Sequence, residues 1–445
     1  RGTTRTAAEN ALAILRDTEP ELHLRSVTLT AKDKICLCET RECTPEACPY
    51  ANGYYARIKG ALWDVLDVPC LTAETLQEYA ERHTVCPFEL GLDSSLWSDV
   101  IIGDYNYLFD PVVHLVRFFE SAGDYIFLVD EAHNLPGRAR EMHSAALTKT
   151  SFYEAKKLLG KGKSSLKNAL TKVNDVFIEW RHRAEEETAA RDGRFGKTFF
   201  LKERSEEFDH LLNRLCEPLE AWLDDHREPD ETHTALLQLY FDVRAWLRVA
   251  DTFDDHFVLQ ITASGSEVRA AQLCLDPSAF LADSFALGRA AVLFSATLAP
   301  ASYYKDLCGV PEARAVALRS PFPAGNQGLF CIGNVSTRYK DRDASLAIVA
   351  ESLATMVRAH CGNYLAFFPS YAYMEQAYAR FKEHCPEINC IKQENAMDEQ
   401  QKAAFLAQLV SGPSQSLLGF AVMGGVFGEG VDLTGDRLIG VGIVG

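Results

Sequence analysis

The spacing of hydrophobic residues predicts two regions in which strands alternate with helices. Short apolar runs bounded by polar residues predict buried strands, and apolar residues repeating every three or four positions predict amphipathic helices. Alternation of the two is typical of an α/β protein with parallel sheets. The predicted strands are residues 26–30, 125–129, 257–262, 270–275, 290–294, 329–332, 364–368, 388–391 and 417–422, and the short helices are 7–15 and 54–66.

A long helical region separates these two patterns. Leu166, Leu170 and Val173 are typical of its apolar spacing, and a later run contains Pro218, which we expect to kink or divide its helix. We therefore predict an all-helical insertion over residues 150–255 and, further on, a linker at Ser-Pro-Phe-Pro 320–323.

Composition narrows the possible functions. The 445 residues contain 62 acidic and 45 basic residues, for a net charge of −17, which argues against a protein that coats nucleic acid with its whole surface. No apolar run approaches the roughly 18–20 residues that cross a bilayer, so we expect an intracellular protein. A local basic run is a candidate polyanion site, with a merely solvated helix face as an equal alternative: Lys149, Lys156, Lys157, Lys161, Lys163, Lys167 and Lys172.

The cysteines are unevenly distributed. Thirteen cysteines are an odd number in a chain large enough to bury its own cores, which disfavours a disulfide framework. Six of them fall within 51 residues, and this clustering suggests a metal site: Cys36, Cys38, Cys43, Cys48, Cys70 and Cys86.

Paired carboxylates follow the apolar run 125–129, in the sequence Asp130-Glu131-Ala132-His133. Phosphoryl transfer from a nucleotide requires one carboxylate to orient magnesium and another to accept a proton from the attacking water. The carboxyl end of a strand is also where an open α/β sheet binds its ligand. Acidic residues that simply end a strand are the alternative interpretation.

Two further segments follow predicted strands. Ser295 and Thr297, in Ser-Ala-Thr-Leu, can hydrogen-bond to a neighbouring loop and register a change there, although a polar turn is at least as common. The glycine-rich segment 424–432 permits close approach to a phosphate, and its Gly428, Glu429 and Asp432 are candidates to face a nucleotide. A surface turn is the alternative there.

Together these motifs resemble the DinG and XPD branch of superfamily 2 DNA helicases. The resemblance is carried by Thr-Thr-Arg-Thr 3–6, the DEAH tetrad, the SATL segment, Asp-Tyr-Asn-Tyr-Leu-Phe-Asp-Pro 104–111, the cysteine region and Phe-Phe-Pro-Ser-Tyr-Ala-Tyr-Met-Glu 367–375. It implies two RecA-like lobes, the first interrupted by a cysteine-rich Fe–S domain and an all-helical Arch domain. The implied boundaries are lobe 1 over 1–30, 96–149 and 256–319, the Fe–S domain over 31–95, the Arch over 150–255 and lobe 2 over 320–445.

The resemblance also implies cofactors and site residues. A [4Fe–4S] cluster would be held by Cys36, Cys43, Cys48 and Cys86, where unequal spacing without a C-x2-C pair favours a cluster over zinc or inert thiols. Cys38 is a possible substitute for Cys36, and Cys70 matches no ligand. DNA-binding candidates are Thr4, Arg5, Tyr105, Tyr107, Lys161 and Lys163, with packing in the core as the alternative for the two tyrosines.

The implied protein is a monomeric, ATP- and magnesium-dependent helicase in DNA repair or replication, moving 5′ to 3′ on single-stranded DNA and acting at junctions in a bacterial cytosol. Asp130, Glu131 and His133 would be catalytic. The Walker A loop and the arginine motif of this family would lie before residue 1 and after residue 445, so we expect this stretch alone to be inactive. The rival hypothesis is a non-catalytic nucleic-acid-binding module with iron–sulfur or zinc.

Overall fold

The computed structural model of the protein describes residues 3–40, 42–160, 164–190, 197–228, 230–428, 431 and 433–445. The chain divides into two compact units, one formed by residues 1–103 with 318–445 and the other by residues 104–317. The strands are β1 (Ser26–Thr28), β2 (Cys70–Leu71), β3 (Val100–Ile102), β4 (Ile126–Val129), β5 (Ala145–Thr148), β6 (Thr198–Leu201), β7 (Phe257–Ser264), β8 (Glu267–Cys274), β9 (Ala290–Leu293), β10 (Asn363–Phe368), β11 (Asn389–Lys392), β12 (Leu417–Val422) and β13 (Gly440–Ile443). The α-helices are α1 (Thr3–Thr18), α2 (Lys32–Ile35), α3 (Tyr54–Val65), α4 (Ala73–His83), α5 (Pro87–Ser94), α6 (Asn106–Phe109), α7 (Val116–Phe119), α8 (Leu135–Met142), α9 (Lys149–Leu158), α10 (Ser165–Ala190), α11 (Glu206–Asp225), α12 (Glu231–Asp251), α13 (Ser278–Ala286), α14 (Ala301–Leu307), α15 (Arg342–Ala359), α16 (Tyr371–His384) and α17 (Glu399–Ala407).

A three-stranded parallel sheet in the order β2-β1-β3 lies in the first unit. Its central strand is fully buried, with Val27 inaccessible to solvent. The cysteine-rich segment contributes β2 to this sheet, where Cys70 pairs with Ser26. Cys70 is thus a sheet residue.

A second parallel sheet in this unit has the order β11-β12-β10-β13. Phe368 and Phe420 pack on one face with α15 and α16, while Leu365 and Phe405 pack on the other face, where α17 lies. Burial on both faces explains why these strands are continuous apolar runs in the sequence. The predicted strand at 329–332 is wrong, since that segment pairs with none of the described strands and leaves Phe330 90% exposed.

The second unit contains a parallel pair, β4 and β9, in which Val129 is opposite Leu293. A buried cluster from α6, α8 and α13 supports the carboxyl end of this pair, and it includes Phe109, Leu135 and Phe285. The carboxyl ends of two parallel strands are thereby fixed side by side.

The rest of the second unit is an antiparallel sheet, in the order β5-β8-β7-β6, covered by α9–α12. The prediction of an all-helical insertion over 150–255 is wrong, because β6 lies inside that range. The hairpin of β7 and β8, which the sequence predicts as part of lobe 1, joins the same core through Leu259 and Ile261. Helix α11 also runs through Pro218 without being divided.

One polar contact is enclosed in this core. Trp246 Nε1 donates a hydrogen bond to Asp209 Oδ1 at 2.8 Å, and the Asp209 side chain is only 8% exposed. Burial raises the pKa of Asp209 above the ordinary carboxyl value, against the opposing effects of the indole and of Arg204. The folded carboxyl therefore keeps its proton to a higher pH than the unfolded one, and ionisation above that range costs stability.

Replacing Trp246 with Phe should lower the unfolding free energy by about 1–3 kcal/mol, because Asp209 Oδ1 loses its buried donor. The loss should be larger at neutral pH than in mildly acidic buffer, since the ionised carboxylate needs the donor more. Urea unfolding followed by circular dichroism measures both values. The control is Trp222→Phe, which alters a ring stacked on His226. An equal loss at both pH values would contradict a role for the Asp209 charge.

Candidate nucleotide site and cysteine cluster

The predicted carboxylates and hydroxyls meet at the carboxyl ends of β4 and β9. His133 Nδ1 lies 2.8 Å from Ser295 Oγ and 3.2 Å from Glu131 Oε2, and Ser295 Oγ donates to Glu131 Oε2 at 3.3 Å. Thr297 joins the group through its backbone NH, which donates to Ser295 Oγ at 3.2 Å. Residues 164 positions apart in the chain thus form one hydrogen-bonded cluster.

Backbone hydrogen bonds between the two strand ends hold this cluster. Phe294 NH donates to Val129 O at 3.0 Å, and Ala132 NH donates to Phe294 O at 3.1 Å. Asp130 Oδ1 accepts from Glu131 NH at 2.7 Å, which stabilises the turn between the carboxylates. Glu131 has φ +48° and ψ +40°, a left-handed conformation that non-glycine residues rarely adopt. The arrangement presents a half-exposed carboxylate beside a histidine and a hydroxyl, which suits proton transfer and its communication to a neighbouring loop.

Tyr105 takes a position that the sequence did not indicate. Its hydroxyl lies 2.5 Å from Asp130 O and 3.0 Å from Glu131 O, and its ring packs edge-to-face on Phe109. Burial raises the pKa of the Tyr105 hydroxyl, and Asp130 and Glu131 raise it further, so the group stays a donor. This placement favours the packing alternative for Tyr105. Tyr107 lies half-buried in α6.

The candidates to face a nucleotide in the glycine-rich segment 424–432 follow β12. Gly428 NH donates to Gly425 O at 2.9 Å, so the described part of the glycine-rich segment is a tight turn. Phe427 stacks on Phe405 below this turn, which anchors it to the core. Glu429 and Asp432 lie outside the described residues.

The remaining DNA-binding candidates are only partly described. Thr4 and Arg5 lie in the first turn of α1, and Lys161 and Lys163 lie outside the described residues. Within the basic run, Lys167 is buried and donates to Gly160 O at 2.6 Å, and Lys149 donates to Ser266 O. These two lysines therefore donate hydrogen bonds to backbone carbonyls of the chain itself. The basic run is consequently less continuous on the surface than the sequence suggests.

The four predicted cysteine ligands fall into two neighbouring groups. Cys48 Sγ lies 3.8 Å from Cys38 Sγ, and Cys36 interacts electrostatically with Cys38. Burial, together with the neighbouring Cys48 and Cys36, raises the pKa of Cys38 to about 11. The structure thus places Cys38, which the sequence analysis left aside, next to a predicted ligand.

Cys43 and Cys86 form the second group, around Lys32. Burial acts to lower the pKa of Lys32, but Cys43, Glu89 and Cys86 act in the opposite direction. Their combined effect outweighs burial, so the pKa of Lys32 is raised overall. Cys86 precedes α5, where burial raises its thiol pKa and the Glu89 and Phe88 amides act in the opposite direction. All of these thiols are free, which fits a thiolate-ligated group. Over the described part of the chain, however, no three His, Cys, Asp or Glu side chains are assembled as a metal-binding group.

Comparison with known proteins supports the family that the sequence predicts. The family model described as DEAD_2 matches residues 18–152, and the model of a helicase C-terminal domain matches residues 353–445. Together these matches support an XPD- and DinG-type helicase of superfamily 2, as the sequence motifs predicted.

Two curated relatives illustrate the extent of the similarity. The ATP-dependent DNA helicase CHL1 of Coccidioides immitis is 21% identical over 424 residues, covering 83% of this chain and 48% of that protein. The TFIIH helicase subunit XPD of Schizosaccharomyces pombe is 24% identical over 376 residues, covering 68% of this chain and 48% of that protein. The chain spans about half the length of these relatives.

A solved structure titled XPD helicase aligns with a TM-score of 0.50 at 17% identity, over 97% of this chain and 74% of that one. This likeness confirms the α/β fold class with two RecA-like lobes. Among the described residues, no helix combines the length and apolar character that crossing a membrane requires.

Proposed function

We propose that the full-length protein is an ATP-dependent DNA helicase that moves along single-stranded DNA, 5′ to 3′, and unwinds duplexes at junctions during repair or replication. The observation that carries the proposal is the hydrogen-bonded cluster of Glu131, His133 and Ser295 at the ends of two adjacent parallel strands. Its place in a chain that matches helicase family models supports nucleotide hydrolysis as the chemistry.

Each residue of the cluster has a distinct role in this proposal. Asp130 would hold magnesium, which would supply positive charge against the phosphates. Glu131 accepts the proton of the attacking water. His133, Ser295 and Thr297 carry the change at Glu131 from β4 to β9, because Ser295 Oγ contacts both His133 and Glu131. Gly428, Glu429 and Asp432 face the nucleotide from the second lobe.

The cysteine-rich segment holds a [4Fe–4S] cluster in this proposal, through Cys36, Cys43, Cys48 and Cys86. The free thiols and their spacing support a thiolate-ligated group, and Cys38 is close enough to Cys48 to be a competing ligand. Thr4, Arg5, Tyr107, Lys161 and Lys163 remain the proposed DNA contacts. The protein acts as a monomer in the cytosol.

The proposal is tested by phosphate release from ATP with and without oligothymidylate, using the full-length protein. We expect single-stranded DNA to stimulate release, and a duplex with a 5′ tail to be unwound faster than one with a 3′ tail. A protein that binds the oligonucleotide but shows no stimulated release would instead be a nucleic-acid-binding module. Preference for the 3′ tail would overturn the polarity alone.

A further inference from the structure

We propose that Tyr105 is a positioning residue that holds Glu131 in its left-handed conformation, an inference that rests on the proposed role of Glu131 as general base. Tyr105 has one hydroxyl proton and two acceptors, Asp130 O at 2.5 Å and Glu131 O at 3.0 Å. The proton is shared between the carbonyls on either side of the Glu131 Cα. The hydroxyl thereby fixes both peptide planes that set the direction of the Glu131 side chain.

The backbone at Glu131 needs such a restraint. Glu131 is one of three non-glycine residues in the described parts of the chain with positive φ, together with Thr84 and Ala396. A side chain in this region is disfavoured by contact between Cβ and the backbone, so the conformation persists only where its surroundings enforce it. Rotation of the peptide planes would relieve the strain and carry Glu131 Oε2 away from Ser295 Oγ.

Tyr105 is itself well anchored. Its ring packs edge-to-face on Phe109 with centroids 6.3 Å apart, and Phe109 packs in the same way on Phe285 at 5.3 Å. Phe109 NH donates to Tyr105 O at 2.9 Å at the start of α6. Phe109 and Phe285 both belong to the core cluster that also contains Val129 and Ala132. The hydroxyl is therefore presented from the core that supports β4.

The site needs Tyr105 for orientation and not for binding. Among the described residues, the partners of the Tyr105 hydroxyl are backbone carbonyls of the carboxylate turn, so its loss leaves the side chains of Asp130 and Glu131 chemically intact. We therefore expect kcat to depend on the hydroxyl, while KM for ATP and the Kd for single-stranded DNA do not. If Tyr105 instead stacked on a base, loss of the hydroxyl alone would leave both kcat and the Kd for DNA unchanged, because a ring without its hydroxyl still stacks.

The test is Tyr105→Phe in the full-length protein, alongside Tyr105→Leu. We expect Tyr105→Phe to lower the kcat of DNA-stimulated phosphate release by at least 10-fold, with KM for ATP and Kd for labelled oligothymidylate within twofold of wild type. The matched control is Tyr303→Phe, which removes a hydroxyl from a half-exposed ring in the same unit and should leave all three values unchanged. Circular dichroism melting verifies that each variant is folded.

A double-mutant cycle separates positioning from a general structural effect. In a Glu131→Gln background, Tyr105→Phe should cause no further loss, because the hydroxyl acts through the Glu131 carboxylate. A kcat for Tyr105→Phe within twofold of wild type would overturn the inference, as would normal kcat with DNA binding weakened only in Tyr105→Leu. Absence of stimulated release in the wild-type protein would instead refute the proposed function.

Discussion

Replacing Glu131 with Gln in the full-length protein should lower the kcat of DNA-stimulated ATP hydrolysis by about 10²- to 10⁴-fold, the range typical of losing a general base. Glutamine keeps the shape and the hydrogen-bond acceptor that Ser295 Oγ uses at 3.3 Å, but it cannot take the proton of the attacking water. ATP binding should be retained, because the change leaves Asp130 and the rest of the cleft intact. Phosphate release and equilibrium binding of a fluorescent ATP analogue measure the two effects separately.

The matched control for this change is Glu141→Gln. Glu141 is an exposed carboxylate on α8 in the same unit, and it pairs only with Arg138 at 3.1 Å among its described contacts. Its loss should leave hydrolysis within twofold of wild type. If Glu131→Gln retained full turnover, Glu131 would not be the base and a different carboxylate would have to be sought.

Replacing Cys86 with Ser should remove the cluster and abolish unwinding. Serine lacks the thiolate that iron requires, so affinity for the cluster should fall by more than the roughly 10- to 100-fold cost of losing an outer hydrogen-bond partner. Iron content and the broad visible absorption band of anaerobically purified protein measure this loss directly. Some ATP hydrolysis should survive, because Glu131 and Ser295 belong to a different unit of the chain.

Two further cysteine variants make the assignment specific. Cys70→Ser should keep the absorption band, since Cys70 lies in β2 and pairs with β1. Cys38→Ser tests whether the thiol 3.8 Å from Cys48 is a ligand, and we expect it to keep the band. Full iron content in Cys86→Ser would contradict its assignment, and a colourless wild-type protein with stoichiometric zinc would contradict the cluster itself.

The candidate site shows what local sequence signals can and cannot provide. Asp130, Glu131, Ser295 and Thr297 were identified because each follows a strong apolar run, and such runs form strands whose ends face the ligand in an α/β sheet. The sequence alone did not establish that these side chains contact one another. Tyr105 was identified as a candidate to stack on bases or to pack in the core, and nothing in the sequence indicates that its hydroxyl reaches the carbonyls of Asp130 and Glu131.

The insertion illustrates the same limit in the fold. Helical spacing correctly predicted α10, α11 and α12, since periods of three or four are a local property. The strands β5, β6, β7 and β8 were assigned to different regions or missed. Their antiparallel pairing joins distant segments, and β5 and β8 lie more than a hundred residues apart in the chain. Pro218 was expected to kink or divide its helix, yet α11 continues through it, and Leu215 and Leu219 on either side are buried in the core.

The sequence by itself determined the fold class, the family resemblance and the strand ends proposed to carry the chemistry, because apolar period and short motifs are encoded by neighbouring residues. Only the tertiary structure decided that β4 lies beside β9, that Lys167 is buried, that Cys38 contacts Cys48 and that the Tyr105 hydroxyl reaches the carbonyls of Asp130 and Glu131. Each of these depends on how whole elements pack together, which a local pattern of residues does not encode.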